Sequence, residues 1–310
     1  MRVIFNIDKQ YRLDKPTAIA LGTFDGIHIG HQMLVQQLEF IQKVTGSCAL
    51  VYTFLNNPME LLTPEKAPTK IMTIGERISK LKSFASIDCL VLNPFDKELA
   101  SMQPENFIDM LISYYNVKNM VVGYDFKFGR LGSGNIELLK ELSEKYGFEL
   151  VVVPPLSLGG EAISSSLIRR LIQEGELGKV SMYLGHPYTI SGKIVHGFGR
   201  GKKLGFPTAN LQFDPQKSIP KYGIYLTRIK IDGLYHWGVT NVGINPTFNQ
   251  EGLFIETYIL DYNDQIYGSK VKVEFLKRIR DEIRFSNIED LKAQIAKDIE
   301  WAKNYVYKFR

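Results

Sequence analysis

Two short stretches of this 310-residue chain bring together residue types suited to phosphate chemistry: 22–31, GTFDGIHIGH, and 197–211, GFGRGKKLGFPTANL. In the first, Gly22 and Gly26 allow a tight turn and close backbone approach. Gly30 leaves room for an anion at the free N–H groups of the helix predicted to follow. His28 and His31 are three residues apart, so they share one face if that helix begins near 28. Imidazoles in this place can donate charge-assisted hydrogen bonds to a phosphate as charge builds in a transition state. Only five histidines occur in the chain, and two fall in this turn, which disfavours an ordinary strand–turn–helix junction. A metal centre is weaker still, because no third and fourth ligand cluster with the pair.

In the second stretch, glycines permit a loop whose N–H groups converge on phosphates, and Arg200, Lys202 and Lys203 add positive charge. Thr208 and Asn210 are two apart, so on an extended strand they face the same way. Their oxygens suit a Mg²⁺ ion that otherwise keeps waters and substrate phosphates. No GK[ST] ends the string and no helix follows, so it is not a Walker A loop. Taken alone, it reads more readily as a basic surface hairpin.

The elements that must position these loops change character along the chain. Apolar runs at 17–22, 48–54, 87–92, 118–123 and 148–153 predict strands. Helical periods at 30–44, 73–84, 104–115 and 135–146 alternate with them, which argues for a parallel sheet with helices on its faces. Such sheets bind ligands beyond the carboxyl ends of their strands. Helical pieces at 164–174 and 176–184 end this region, and Gly185-His186-Pro187 punctuates the chain. Strand-like runs follow at 188–196, 223–231, 234–242, 253–261 and 270–276, separated by turn formers such as Asp232-Gly233 and Asn263-Asp264. A helical stretch at 288–306 closes the chain. The expectation is an α/β domain over 1–184 and a small antiparallel β-barrel with a C-terminal helix over 188–310.

Hydrophobic residues make up 45% and charged residues 23%, enough apolar content for a core in each half. The formal charge of +5 fits a polyphosphate ligand and also weak nucleic-acid affinity, so it decides nothing. Cys48 and Cys89 sit in apolar runs and read as buried strand thiols. There is no secretory leader pattern at the N-terminus and no run of roughly 20 apolar residues, so a soluble cytoplasmic protein is expected.

GTFDGIHIGH resembles the HxGH signature of the nucleotidyltransferase superfamily. The segments TFLNNP (53–58), VGYDFKFGRLGSGN (122–135) and ISSSLIRRL (163–171) look like successive motifs of the FMN adenylyltransferase module of prokaryotic FAD synthetases. The PTAN string, TNVGINPTF (240–248), IETYILDY (255–262) and IRDEIRFSNIEDLKAQI (279–295) resemble the riboflavin kinase module. The chain is thus similar throughout to the bifunctional riboflavin kinase/FMN adenylyltransferase family. That resemblance implies an α/β Rossmann-like nucleotidyltransferase domain with a parallel sheet, followed by the small barrel.

The resemblance also implies two reactions: ATP phosphorylates riboflavin to FMN in the barrel, and a second ATP adenylylates FMN to FAD in the α/β half. It makes Glu256 the kinase base and gives His28 and His31 to the adenylyl transition state. It assigns Gly22, Phe24, Asp25, Gly30, Asn57, Asp125, Phe128, Ser164, Ser165 and Arg169 to nucleotide or flavin binding in the first site. Gly199, Lys203 and Asn210 bind ATP in the second, with Thr208 and Asn210 holding Mg²⁺. From alternation alone Glu256 is equally an outward strand glutamate, Ser164 and Ser165 a helix cap, and Phe126 and Phe128 packed aromatics. The family pattern has His at the places of Asn57 and Tyr258, and Thr at that of Ser166. The expected partners are small molecules, with neither nucleic acid nor membrane; self-association is left open. The rivals are a pantetheine-phosphate adenylyltransferase with an accessory barrel, a class I tRNA synthetase and an RNA-binding regulator. PTAN and Glu256 argue against the first, and the lack of a KMSKS-type loop against the second. Steep salt dependence of RNA binding would support the third.

Overall fold

The structure, a computed structural model, describes residues 1–5, 12–197, 199, 201, 204–244 and 252–308. The chain divides into two compact units, Met1–Ser165 and Ser166–Arg310.

In the first unit six strands form one sheet: β1 (Arg2–Phe5), β2 (Thr17–Leu21), β3 (Cys48–Phe54), β4 (Cys89–Asn93), β5 (Val117–Gly123) and β6 (Glu149–Val153). Their order is β1-β4-β3-β2-β5-β6, and every pairing is parallel. Helices cover both faces, so β2 is buried at every residue and its sequence is continuously apolar. Ile19 and Leu21 pack with α5 (Pro104–Tyr115) and α6 (Ile136–Tyr146). Ala18 and Ala20 pack against α1 (Ile29–Thr45) through Leu34, Val35, Leu38 and Ile41. Cys48 and Cys89 are free and buried, as expected. Strand β1 was not predicted; it adds a parallel edge beside β4. The short helix α4 (Lys97–Ser101) precedes α5, and a two-stranded hairpin, β7 (Ser157–Leu158) and β8 (Glu161–Ala162), follows β6.

The sheet grows outward from β2 to β3 and β4, then the chain returns and lays β5 on the other side of β2. The order therefore reverses between β2 and β5, where a parallel sheet opens a crevice at its carboxyl edge. The loop 22–28 leaves the end of β2 and the loop 124–135 leaves the end of β5.

In the second unit, β9 (Tyr188–Val195), β10 (Ala209–Phe213), β11 (Gly223–Ile231), β12 (Leu234–Ile244), β13 (Leu253–Ile259) and β14 (Lys270–Arg280) close a barrel in the order β10-β13-β12-β11-β14-β9. All its pairings are antiparallel. Asp232 and Gly233 both take positive φ, 46° and 91°, in the two-residue β11–β12 turn, as that turn type requires. Strand β10 was not predicted. Inside, Tyr225 packs edge-on against Phe275 at 5.4 Å, and the hydroxyls of Thr227, Thr240 and Thr257 link in a chain of 2.8 Å contacts.

Helices α7 (Ser165–Glu174) and α8 (Leu177–Leu184) had been expected to end the first domain. By contacts the two units meet at 165/166, after the first residue of α7, and α8 packs on β9 and β14.

Helix α9 (Ile288–Tyr307) lies on the outer wall, with Ile299, Ala302 and Val306 against Ile224, Leu226, Val239 and Leu260. Asp298 fixes it: the carboxylate is buried and accepts from Arg280 Nε at 2.9 Å and a terminal nitrogen at 2.6 Å. Removing one partner of a buried pair leaves the other charge desolvated, at a cost of about 3–5 kcal/mol. Asp298→Ala should lower the barrel's stability by that order in urea unfolding of the full chain. A loss below about 1 kcal/mol would show the pair to be dispensable.

Candidate active sites

The loop after β2 is backbone-strained. Phe24 and Ile27 take φ of 49° and 43°, and Gly26 takes 82°. Positive φ is costly for a β-branched residue such as Ile27, so the surroundings must hold it. Both side chains are fully buried. The buried Asp25 carboxylate accepts from the N–H groups of Ile71 at 3.1 Å and Met72 at 3.0 Å. Its carbonyl accepts from Ser165 Oγ at 2.9 Å. Arg77, which the sequence reading missed, is buried on α3 (Ile74–Lys82). It donates to the carbonyls of Thr23 at 2.7 Å and Phe54 at 2.6 Å, and to Thr53 Oγ1 at 3.3 Å. One guanidinium thus ties the histidine loop to the end of β3.

His28 is the N-cap of α1, and its Nδ1 accepts from the His31 N–H at 3.3 Å, which leaves its ring proton on Nε2. The two imidazoles stack with centroids 3.7 Å apart, and Phe24 lies 5.0 Å from His31. A Cβ on Gly30 would come within 3.1 Å of the His28 ring, so any larger residue there would press the ring aside by a few tenths of an ångström. His31 Nδ1 is buried and makes no hydrogen bond among the described residues. Burial, then the charges of His28 and Arg77, hold the His31 pKa well below its ordinary value. His31 is therefore a neutral imidazole, which an arriving anion would stabilise in its protonated form.

Around this loop the predicted residues divide. Ser165 reaches the loop, and Ser164 stands just before α7. Asp125 is exposed after β5, beside Tyr124. Phe128 is in the core, 5% exposed, stacked at 5.5 Å on Phe126 and 6.2 Å from Phe107. Gly134 lies against its ring with no room for a Cβ. Asn57 caps the short helix α2 (Pro58–Leu62): its Oδ1 accepts from Met59 N at 2.9 Å, and Glu60 returns a bond to its N–H at 3.2 Å. A helix cap thus accounts for Asn57's carbonyl oxygen. Gly22 lies under Phe24, with 3.2 Å for a Cβ. Arg169 lies on α7, in the second unit.

On the barrel, register brings the second set together. Asn210 on β10 and Asn241 on β12 each lie directly opposite Glu256 on β13, so all three side chains project from the same face. That face is the outer one: the neighbouring Thr257, opposite Thr240, is 1% exposed inside the barrel. Thr208 Oγ1 contacts Glu256 Oε2 at 3.4 Å. Gly197 lies so close to the Asn210 amide that a Cβ would overlap it. The turn is closed by Phe206 N–H donating to Gly201 O at 2.8 Å. Gly199 takes φ 68° with open space around it. Lys203, Arg200 and Lys202 lie outside the described residues, as does the NPTF run at 245–248. Tyr258 packs edge-on against Phe206 at 6.0 Å, under α9, which gives that departure from the family pattern a packing role.

Sequence reasoning also missed Asn241 and Glu282. A Cβ on Gly243, two residues beyond Asn241, would overlap the Glu282 carboxylate, whose pKa burial raises against the pull of Arg280. Among the described residues no three His, Cys, Asp or Glu side chains converge to hold a metal. The oxygens of Thr208, Asn210 and Glu256 form a hard donor set fitting a cation bound mainly by substrate phosphates and water. No helix among the described residues is long and apolar enough to cross a membrane.

Two family models match the chain, FAD synthetase over residues 10–167 and riboflavin kinase over 184–306. Similar proteins called bifunctional riboflavin kinase/FMN adenylyltransferase include one from Listeria monocytogenes, 34% identical and covering 90% of this chain and 89% of its own. Another, from Bacillus subtilis, is 34% identical over 95% and 94%. A solved structure described as a macrolide-efflux protein from Streptococcus pneumoniae is 32% identical, with a TM-score of 0.90 over 98% of this chain and 99% of that one. With both modules matched in order over nearly its whole length, the chain belongs to the bifunctional riboflavin kinase/FMN adenylyltransferase family.

Proposed function

We propose that the chain makes FMN and then FAD through two distinct sites, one built around the histidine loop of the parallel sheet and one on the barrel, and that it works on diffusible small molecules in the cytoplasm. The observation that carries the kinase assignment is the row Asn210–Glu256–Asn241 with Thr208 3.4 Å from the carboxylate. Residues up to 48 positions apart meet there, and a barrel wall gains nothing from such a row.

In the kinase reaction Glu256 takes the proton of riboflavin's terminal hydroxyl as its oxygen bonds to the γ-phosphorus of ATP; the bond to the β-bridging oxygen breaks and ADP leaves. A carboxylate is a weak base for an alcohol, so positioning carries much of the rate. Thr208 and Asn210 would hold a divalent cation, most suitably Mg²⁺, which would offset charge on the polyphosphate. Gly199 and Lys203 join the ATP side of this site on the motif resemblance.

In the adenylyl reaction a phosphate oxygen of FMN attacks the α-phosphorus of ATP, and pyrophosphate leaves. His28 and His31, at the positive end of α1, donate hydrogen bonds to the charge that grows on the α-phosphate. Ser164 offers its hydroxyl to the triphosphate and Asn57 its amide N–H, while Ser165, whose hydroxyl donates to Asp25 O, steadies the loop beside it; Arg169 has its triphosphate role from the motif alone. The loop at Gly22 and Gly30 admits the nucleotide, and Asp125 borders the flavin side. Phe24, Asp25 and Phe128 act from the core, by holding the loops.

Two substitutions separate the sites. His31→Ala should cut FAD formation from FMN by roughly 10²–10³, the size seen when one transition-state donor is lost, and leave riboflavin phosphorylation near wild type. Equal losses in both reactions would refute the assignment. Glu256→Gln keeps size but cannot take a proton. It should reduce FMN formation by roughly 10²–10⁴ with FAD formation from supplied FMN intact, measured by chromatographic separation of the flavins. Near-wild-type phosphorylation would return Glu256 to an ordinary strand glutamate.

A further inference from the structure

Asn241, within TNVGINPTF, is the one member of the outer row to which no role has been given. It lies on β12 directly opposite Glu256, and a cross-strand pair of this kind has Cβ atoms roughly 4.5–5.5 Å apart. Asn210 flanks Glu256 on the other side and spends its amide nitrogen on Thr208 O at 3.5 Å. The Asn241 amide oxygen is buried and has no hydrogen-bond partner among the described residues. Such a group lowers stability compared with an apolar side chain of the same shape. Both strands continue past it in unbroken register, so the fold does not need the amide. A protein that keeps a stability cost beside its reacting carboxylate keeps it for a ligand.

We infer that Asn241 is a substrate-positioning residue of the kinase site, gripping the hydroxylated side chain of riboflavin next to Glu256. The inference rests on the reading of Glu256 as the base. The chemistry suits the ligand. An alcohol whose proton goes to Glu256 still has an oxygen lone pair for an amide N–H. A neighbouring hydroxyl on the same polyol chain can donate to the amide oxygen. One asparagine can thus engage two adjacent hydroxyls and fix the rotation about the carbon–carbon bond between them, bringing the terminal oxygen to Glu256 in one orientation.

The test uses the full chain with Asn241→Leu and the smaller Asn241→Ala. Riboflavin phosphorylation should fall roughly 10–100-fold in kcat/KM, with FAD formation from supplied FMN unchanged. The melting transition of the barrel should hold or rise, by about 2–4 °C for Leu, because an unpaired buried polar atom has been removed. A riboflavin analogue lacking the hydroxyl next to the terminal one should be a poorer substrate than riboflavin for the wild type. It should be nearly equal to riboflavin for Asn241→Leu. A barrel that melts lower in both variants, or an analogue penalty that persists in Asn241→Leu, would make Asn241 structural and overturn the inference. So would near-wild-type phosphorylation by both variants while Glu256→Gln loses it, with the base assignment left standing. Full activity of Glu256→Gln would overturn both together.

Discussion

The pairing register of β13 against β10 and β12 is the constraint on which the kinase site depends. A strand alternates its side chains between two faces, so a slip of one residue exchanges them all. In the observed register Thr257 enters the barrel, where it completes a hydroxyl chain with Thr240 and Thr227, and Glu256 points out between two asparagines. A slip would bury an ionised carboxylate in the interior and carry the Thr257 hydroxyl outside, away from Thr240, both at a cost. The threonine chain and the site are therefore two sides of one register: what satisfies the core also fixes where the carboxylate stands. Helix α9 reinforces it by covering Tyr258 and Val239 on the same wall.

The α/β unit solves a similar problem with strain rather than register. Two non-glycine residues at positive φ turn the chain so that a helix starts within a few residues of β2. Buried hydrogen bonds from Arg77, and to Asp25, over-determine that turn. The result is a rigid pair of stacked imidazoles on the helix cap at the point where the sheet order reverses. Rigidity matters because donors already aimed at a developing charge need no reorganisation during the reaction.

Much of this was legible in the sequence. The apolar runs of β2 to β6 and the leucine spacing of α1 show the parallel sheet directly, and Asp232-Gly233 shows its hairpin. Strand β10 was missed although ANLQF alternates apolar and polar residues, because it is only five residues long and follows a glycine-rich basic string; pairing with β9 and β13 fixes it as a strand. The side on which α8 packs was not visible either. The apolar face of α8 looks the same whether it meets the sheet before it or the barrel after it, and only β9 and β14 decide. Asn57 was read for what its amide could donate, although Asn-Pro-Met-Glu also spells a capping box. Arg77 has no local signal, since its partners are carbonyls more than 20 residues away. Asn241 could have been found by counting across the hairpins from Glu256, but only once the register was known.

Two complete sites on one chain, joined only by the FMN that one makes and the other uses, can be tested by mixing two crippled enzymes. His31→Ala and Glu256→Gln are combined with riboflavin, ATP and Mg²⁺, and FAD is followed over time by chromatography. The mixture should form FAD although neither variant alone does, because FMN made on the first is adenylylated by the second. If each variant keeps its one reaction yet the mixture yields no FAD, the sites are not separately complete and the assignment of one reaction to each site is contradicted.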